Sequence, residues 1–238
     1  MTNPETPAAA VTADGPAPGE STIRFDRVRS GRDGRLFGHA AALLRRRRDG
    51  TLLTGPGFTG DGADGRPPDI AALTGFVRKV LAATAAFAAD GAGRTEKGKL
   101  VVPIPAFALA LRGPAGAFTE LCRRHADVFE DRLVVEMCAL PTGANLSLLD
   151  DAAIILCAFS PLYLARVSPA WRDFKVLTNA NVHGASVHLG DPGAAALAEW
   201  AEAARRWRLA TFAHGVDGPD QTLAANALNF DYLSGQAV

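Results

Sequence analysis

Apolar and polar residues alternate along Ile23-Arg-Phe-Asp-Arg-Val28, the period of a half-buried strand. Gly31-Arg-Asp-Gly34 supplies a turn, and Leu36 to Leu44 reads as a second strand ending in the run Arg45–Arg48. A Gly- and Pro-rich loop then extends to Pro68. From Asp69 the period becomes helical. Asp69 is placed to cap a helix reaching Ala89, with Ile70, Leu73, Phe76, Val77, Val80 and Leu81 along one face. Strands are predicted over Lys99–Ile104, Arg132–Met137, Leu162–Val167, Ala185–Leu189, Leu209–Val216 and Asp231–Val238. Between them lie helical segments over Ala115–His125, Asn145–Phe159, Ala170–Asn179 and Asp220–Asn229. A further helix opens on Asp191-Pro192, because proline suits the first helical position, and turns Leu197, Trp200, Ala204 and Trp207 inward.

Short apolar strands taking turns with longer helices imply parallel βαβ units. Roughly eight strands favour an α/β fold of the closed (β/α)8, TIM-like type, whose site lies at the C-terminal strand ends. Pro103 and Pro105 each remove a ladder donor, so their strand is expected to be short or irregular at its end. No helix follows the last strand, which predicts a barrel edge left for a partner or a second copy to cover.

Composition narrows the function classes. Residues Met1–Ser21 are poor in large apolar side chains and read as a disordered leader, with one barrel domain from Thr22 to Val238. The 238 residues carry 25 basic and 25 acidic side chains, which argues against nucleic acid or a membrane surface as partner. No apolar run approaches the roughly 20 residues that span a bilayer. Cys122, Cys138 and Cys157 sit in apolar surroundings without metal-ligand spacing, as expected of reduced, buried thiols in a cytoplasmic protein.

Several local patterns carry chemistry on their face. Gly55-Pro-Gly-Phe-Thr-Gly60 matches a dinucleotide fingerprint, yet Asp61-Gly-Ala-Asp-Gly-Arg-Pro-Pro cannot form the helix that the fingerprint needs, so a plain loop is the reading. Arg45–Arg48 before Asp49-Gly50 reads as a solvated basic cluster. Asp150 and Asp151 are adjacent on a helix and diverge by about 100°, so they are exposed charge and not a catalytic pair. Trp200 and Trp207 read as core or interface.

The C-terminal stretch resembles the closing unit of an EAL domain, the cyclic di-GMP phosphodiesterase barrel. The frame stands as Ala213, Gly215, Val216, Asp217, Gln221, Asp231, Tyr232 and Gly235, while His214 stands where that family has its catalytic Glu and Ser234 where it has Gln. Further back, Ala41-Ala-Leu-Leu-Arg45 resembles the Glu-Ala-Leu motif with its Glu lost and its Arg kept. Pro103 falls on the third-strand Asn, and Glu136-Met-Cys-Ala139 on Glu-x-Thr-Glu with the first Glu retained. Ala165-Arg166-Val-Ser falls on Asp-Asp-Phe-Gly, and Ser186-Val-His188 on Lys-Ile-Asp.

The resemblance implies an EAL-type barrel stripped of its hydrolytic groups. The family reaction needs divalent cations held largely by carboxylates, and of that set only Glu136 remains. No catalytic residue, metal or cofactor is therefore expected. The implied function is a non-enzymatic regulatory or scaffolding module of bacterial cyclic di-GMP signalling that acts on an unidentified protein partner, with a homodimer also open. Arg166, His188 and His214 in place of carboxylates, beside Arg45, make a neutral or cationic mouth the expectation. One alternative is a metal-independent receptor for cyclic di-GMP or another phosphorylated ligand. Another is an enzyme rebuilt around Glu136, His188 and His214, three side chains able to hold a metal if they meet.

Overall fold

The computed structural model describes residues 21–46, 52–54, 69–141, 144, 146–190 and 196–238. The chain forms β1 (Ser21–Ser30), β2 (Leu36–Arg46), β3 (Leu52–Thr54), α1 (Ile70–Ala89), α2 (Gly91–Thr95), β4 (Lys99–Pro105), α3 (Ala106–Ala110), α4 (Arg112–Arg124) and α5 (Ala126–Phe129). It continues through β5 (Leu133–Cys138), α6 (Leu146–Leu156), β6 (Leu162–Arg166), α7 (Phe174–Asn179), β7 (Gly184–His188), α8 (Leu197–Arg206), β8 (Ala210–His214), α9 (Pro219–Ala227) and β9 (Tyr232–Ser234).

The sheet runs β1-β9-β8-β7-β6-β5-β4-β2-β3, and β1 also pairs with β2, so eight strands close a TIM-like barrel with β3 attached outside the ring. Strands β2 and β4 to β9 run parallel, whereas β1 is antiparallel to both neighbours. The Gly31–Gly34 turn dictates this: so short a connection joins only antiparallel strands, while a parallel pair needs a crossover of about a dozen residues. Pairing of β9 with β1 also covers the edge that the sequence left open.

Strand alternation builds the interior in layers. Val28, Ala40, Val101, Val134, Leu164 and Phe212 point inward and fill the lower barrel. Phe212 and Tyr232 stack there at 4.4 Å between ring centroids, with Phe37 against Tyr232 at the same distance. Two residues further along three of these strands stand Glu136, Arg166 and His214, which therefore share the upper layer. The intervening Val135, Ala165 and Ala213 point outward and pack in the larger core beneath the helices, with Val77, Leu81, Phe118, Phe174 and Trp200.

Helix ends follow local rules. Asp69 caps α1 by accepting from the Ala71 N–H at 2.9 Å. Asp131, Asn181, Arg208 and Asn229 all take positive φ (57°, 55°, 58° and 52°) just beyond α5, α7, α8 and α9, each turning the chain into the next strand.

The structure corrects several expectations. Ser21 opens β1 and is no part of the leader, whose residues 1–20 lie outside the described set. Leu52–Thr54, read as loop, pairs with Leu44–Arg46. Strand β4 runs through Pro103 to Pro105, paired with β5 to its end. The Leu100 N–H donates to Arg132 O on the β5 side, so the missing donors of Pro103 and Pro105 face β2, where pairing already stops at Val101. The last strand is shorter than expected and ends at Ser234.

Side-chain placement departs too. Ile70 on the first turn of α1 is 52% exposed, and Trp207, the C-cap of α8, is 41% exposed because it lies past the end of the helix whose Leu197, Trp200 and Ala204 reach the core. Cys157, just past α6, is exposed, not buried. Helix α1 is, by length and composition, apolar enough to cross a membrane, contrary to the sequence reading. In the fold, its Leu73, Val77, Val80, Leu81, Thr84, Ala85 and Ala88 are buried. The Gly55–Gly60 loop, Arg47-Arg48 and the Asp191-Pro192 helix start lie outside the described residues.

Candidate functional site

The upper layer converges on Glu136. It is fully buried, and β5 aims it into the barrel axis. Arg166 on β6 donates to Oε2, and Ser186 on β7 donates to Oε1. His214 Nε2 on β8 also lies 2.8 Å from Oε1. Three neighbouring strands thus satisfy both oxygens of one carboxylate. Burial pushes the Glu136 pKa up, but the Arg166 and His214 charges and the hydrogen bonds from His214 and Ser186 outweigh it and hold the carboxyl well below its usual range.

Above this cluster lies a cleft lined by Arg24, Asp26, Pro103, Arg166, His188, His214 and Asp217, with Ala41, Gly215 and Ser234 among its smaller groups. Its free volume is about 30 Å³. That admits roughly two waters, against the roughly 300–1,000 Å³ of a typical small-molecule pocket. Arg24 grips Asp26 with both arms of its guanidinium, Nε to Oδ1 at 2.6 Å and Nη2 to Oδ2 at 2.9 Å. Asp217 Oδ1 accepts from the Gln236 N–H at 2.9 Å and lies 4.0 Å from Arg24.

Of the residues singled out in the sequence, Glu136, Arg166, Ser186 and His214 meet in one hydrogen-bonded group. His188 lines the cleft above, where its Nδ1 accepts from the Gly190 N–H at 3.1 Å. Pro103, Ser234 and Ala41 border the same cleft. Ala165 does not reach it: its side chain faces outward into the core under the helices. Arg45 is the penultimate residue of β2, and its side chain lies outside the described residues. Among the described residues no set of three His, Cys, Asp or Glu side chains is grouped to hold a metal ion, so Glu136, His188 and His214 do not form the imagined ligand trio.

Of the neutral or cationic mouth expected from the substitutions, the described groups do not make the cationic form, because Arg24 is matched by Asp26 and Arg166 by Glu136. Sequence reasoning missed Arg24 and Asp26. Phe25 of β1 stacks on Phe87 of α1 at 4.2 Å, which places its neighbours Arg24 and Asp26 on the opposite face of the strand, toward the cleft.

No protein-family model and no curated protein matches the sequence. Solved structures do match. An EAL enzyme in a form bound to cAMP and cyclic di-GMP superposes at TM-score 0.64 and 12% identity, over 91% of this chain and 61% of that one. The chain thus spans 61% of that enzyme's length. The EAL domain of FimX from Xanthomonas citri in complex with cyclic di-GMP gives 0.61 and 16% identity, over 92% and 86%. That of FimX from Pseudomonas aeruginosa, bound to cyclic di-GMP, gives 0.62 and 13%, over 90% and 88%. The fold is that of EAL domains.

Proposed function

We propose that this barrel is a catalytically silent EAL-type module of bacterial cyclic di-GMP signalling that works through protein contact. One observation carries the reading: the carboxylate of Glu136 has both oxygens engaged by Arg166, Ser186 and His214, in the layer where metal ligands would stand. These partners take three of the carboxylate's roughly four acceptor sites, and the Arg166 guanidinium already supplies positive charge where a cation would bring it. The small cleft and the matched Arg24–Asp26 pair point the same way. Phe107, Leu146 and Ile154, at 38%, 37% and 70% exposure on the neighbouring helices α3 and α6, offer apolar surface for such contact.

Calorimetric titration with cyclic di-GMP, in excess magnesium and again in chelator, tests the reading alongside a hydrolysis assay. Absence of heat and of turnover in both conditions is the expected result. Chelator-independent binding that Arg166→Ala abolishes would make the chain a receptor instead. Magnesium-dependent hydrolysis would overturn the proposal.

A further inference from the structure

The barrel's lower end carries a second cleft, of about 460 Å³, between the β1–β2 turn and the end of α8. Its lining includes Ser30, Arg32, Arg205, Arg208, Asp231 and Tyr232. Three guanidinium groups therefore share it with one carboxylate. That carboxylate is already committed: Asp231 Oδ2 accepts from the N–H and the hydroxyl of Thr211, each at 3.0 Å, and Oδ1 from Arg32 at 3.0 Å. Arg205 is fixed in place by donating Nη1 to the carbonyls of Leu228 and Asn229 at 3.1 and 3.3 Å, where α9 ends. Ser30 Oγ accepts from the Arg32 N–H at 3.3 Å.

Arg208 is the odd member of a set. At the four positive-φ positions that end α5, α7, α8 and α9, the other residues are Asp131, Asn181 and Asn229. Those are side chains that tolerate left-handed backbone, whereas arginine gains nothing from it. Among the described residues the Arg208 guanidinium has no hydrogen bond or ion pair, and the side chain is exposed. A strained backbone position holding a long cation with no internal partner, beside two further arginines, is an arrangement that stability does not explain.

We propose that this basal cleft binds a phosphate-bearing small molecule, with Arg208 and Arg205 supplying guanidinium donors and the Tyr232 side chain beside them. Guanidinium forks match phosphate oxygens, and a cleft of this size suits a compact polyanion. The site is separate from the mouth and independent of what the mouth does.

Sodium tripolyphosphate is the probe, titrated calorimetrically into the full chain at physiological salt, with sulfate as the second arm. Binding of tripolyphosphate at least tenfold tighter than of sulfate is expected. Arg208→Asn restores the residue type found at the sister turns, so its melting temperature should hold or rise while tripolyphosphate affinity falls about tenfold or more. Arg205→Gln should weaken binding as well. No binding to the wild type, equal binding of sulfate, or an Arg208→Asn affinity within twofold of wild type would each overturn the proposal.

Discussion

Arg166 donates directly to Glu136 across the β5–β6 junction, with the two side chains only 11% and 1% exposed. An ion pair this deep gains strength from the low dielectric and loses as much to desolvation, so its two halves are worth more together than apart. Glu136→Met removes the carboxylate that Arg166 and His214 contact and should cost about 3–5 kcal/mol. Glu136→Met combined with Arg166→Met removes both buried charges and should recover most of that loss. Urea denaturation of the singles and the double closes the cycle. Additive losses would mean that the pair is not coupled.

Acid should weaken the fold in two stages. Burial, helped by Arg27 and Arg132, lowers the pKa of His39 below its ordinary 6.5, and Glu96, at 3.1 Å, offsets this only in part. Unfolded His39 then binds a proton that folded His39 refuses. Stability is therefore full above pH 6.5 and declines as pH falls from there toward the folded value. The Glu136 carboxyl, also depressed, adds stability that is full above its ordinary 4.5 and is lost as pH drops further. Melting temperatures across pH should show both declines, and His39→Gln should remove the upper one alone. A His39→Gln profile parallel to wild type would assign the upper decline elsewhere.

The barrel was legible because short apolar runs such as β5 and β6 take turns with longer segments of helical period. What alternation cannot say is which face is which. In an open sheet Arg24 and Asp26 would be solvent-facing; closure of β1 against β2 and β9 turns them inward, and closure is a long-range fact. The Glu136 cluster was half legible. Its members sit at matching heights on β5, β6, β7 and β8, so spacing could nominate them, but the bonds join residues 30, 50 and 78 positions apart. Trp207 and Cys157 misled for a simpler reason: both lie just past a helix end, where the 3.6-residue stripe no longer points at the core.

Thiol chemistry should separate the three cysteines. Burial pushes Cys122 and Cys138 each up to about 12, leaving almost no thiolate at neutral pH, whereas Cys157 is exposed. A disulfide reagent should titrate one thiol quickly in the native protein and the other two only on unfolding. Cys157→Ser should abolish the fast phase, and a fast phase that survives would place the reactive thiol in a locally opened core.

Two glycines should respond to alanine with opposite signs. A Cβ on Gly38 would lie 1.9 Å from Lys99 O and 2.5 Å from Lys99 N, both backbone atoms that cannot swing aside. The β2–β4 ladder that completes the ring spans only Gly38–Ala40 against Lys99–Val101, so displacing one strand there strains the closure itself. Gly38→Ala should cost about 3 kcal/mol, at the upper end for overpacking. Gly75 lies on the exposed face of α1, and a Cβ added there would meet nothing within 4 Å, so Gly75→Ala removes backbone entropy from the unfolded chain at no steric cost. It should stabilise by about 0.5–1 kcal/mol. Chemical denaturation of the two variants decides the matter: a Gly38→Ala protein as stable as wild type would mean that β2 and β4 do not approach this closely, and that the barrel closes elsewhere.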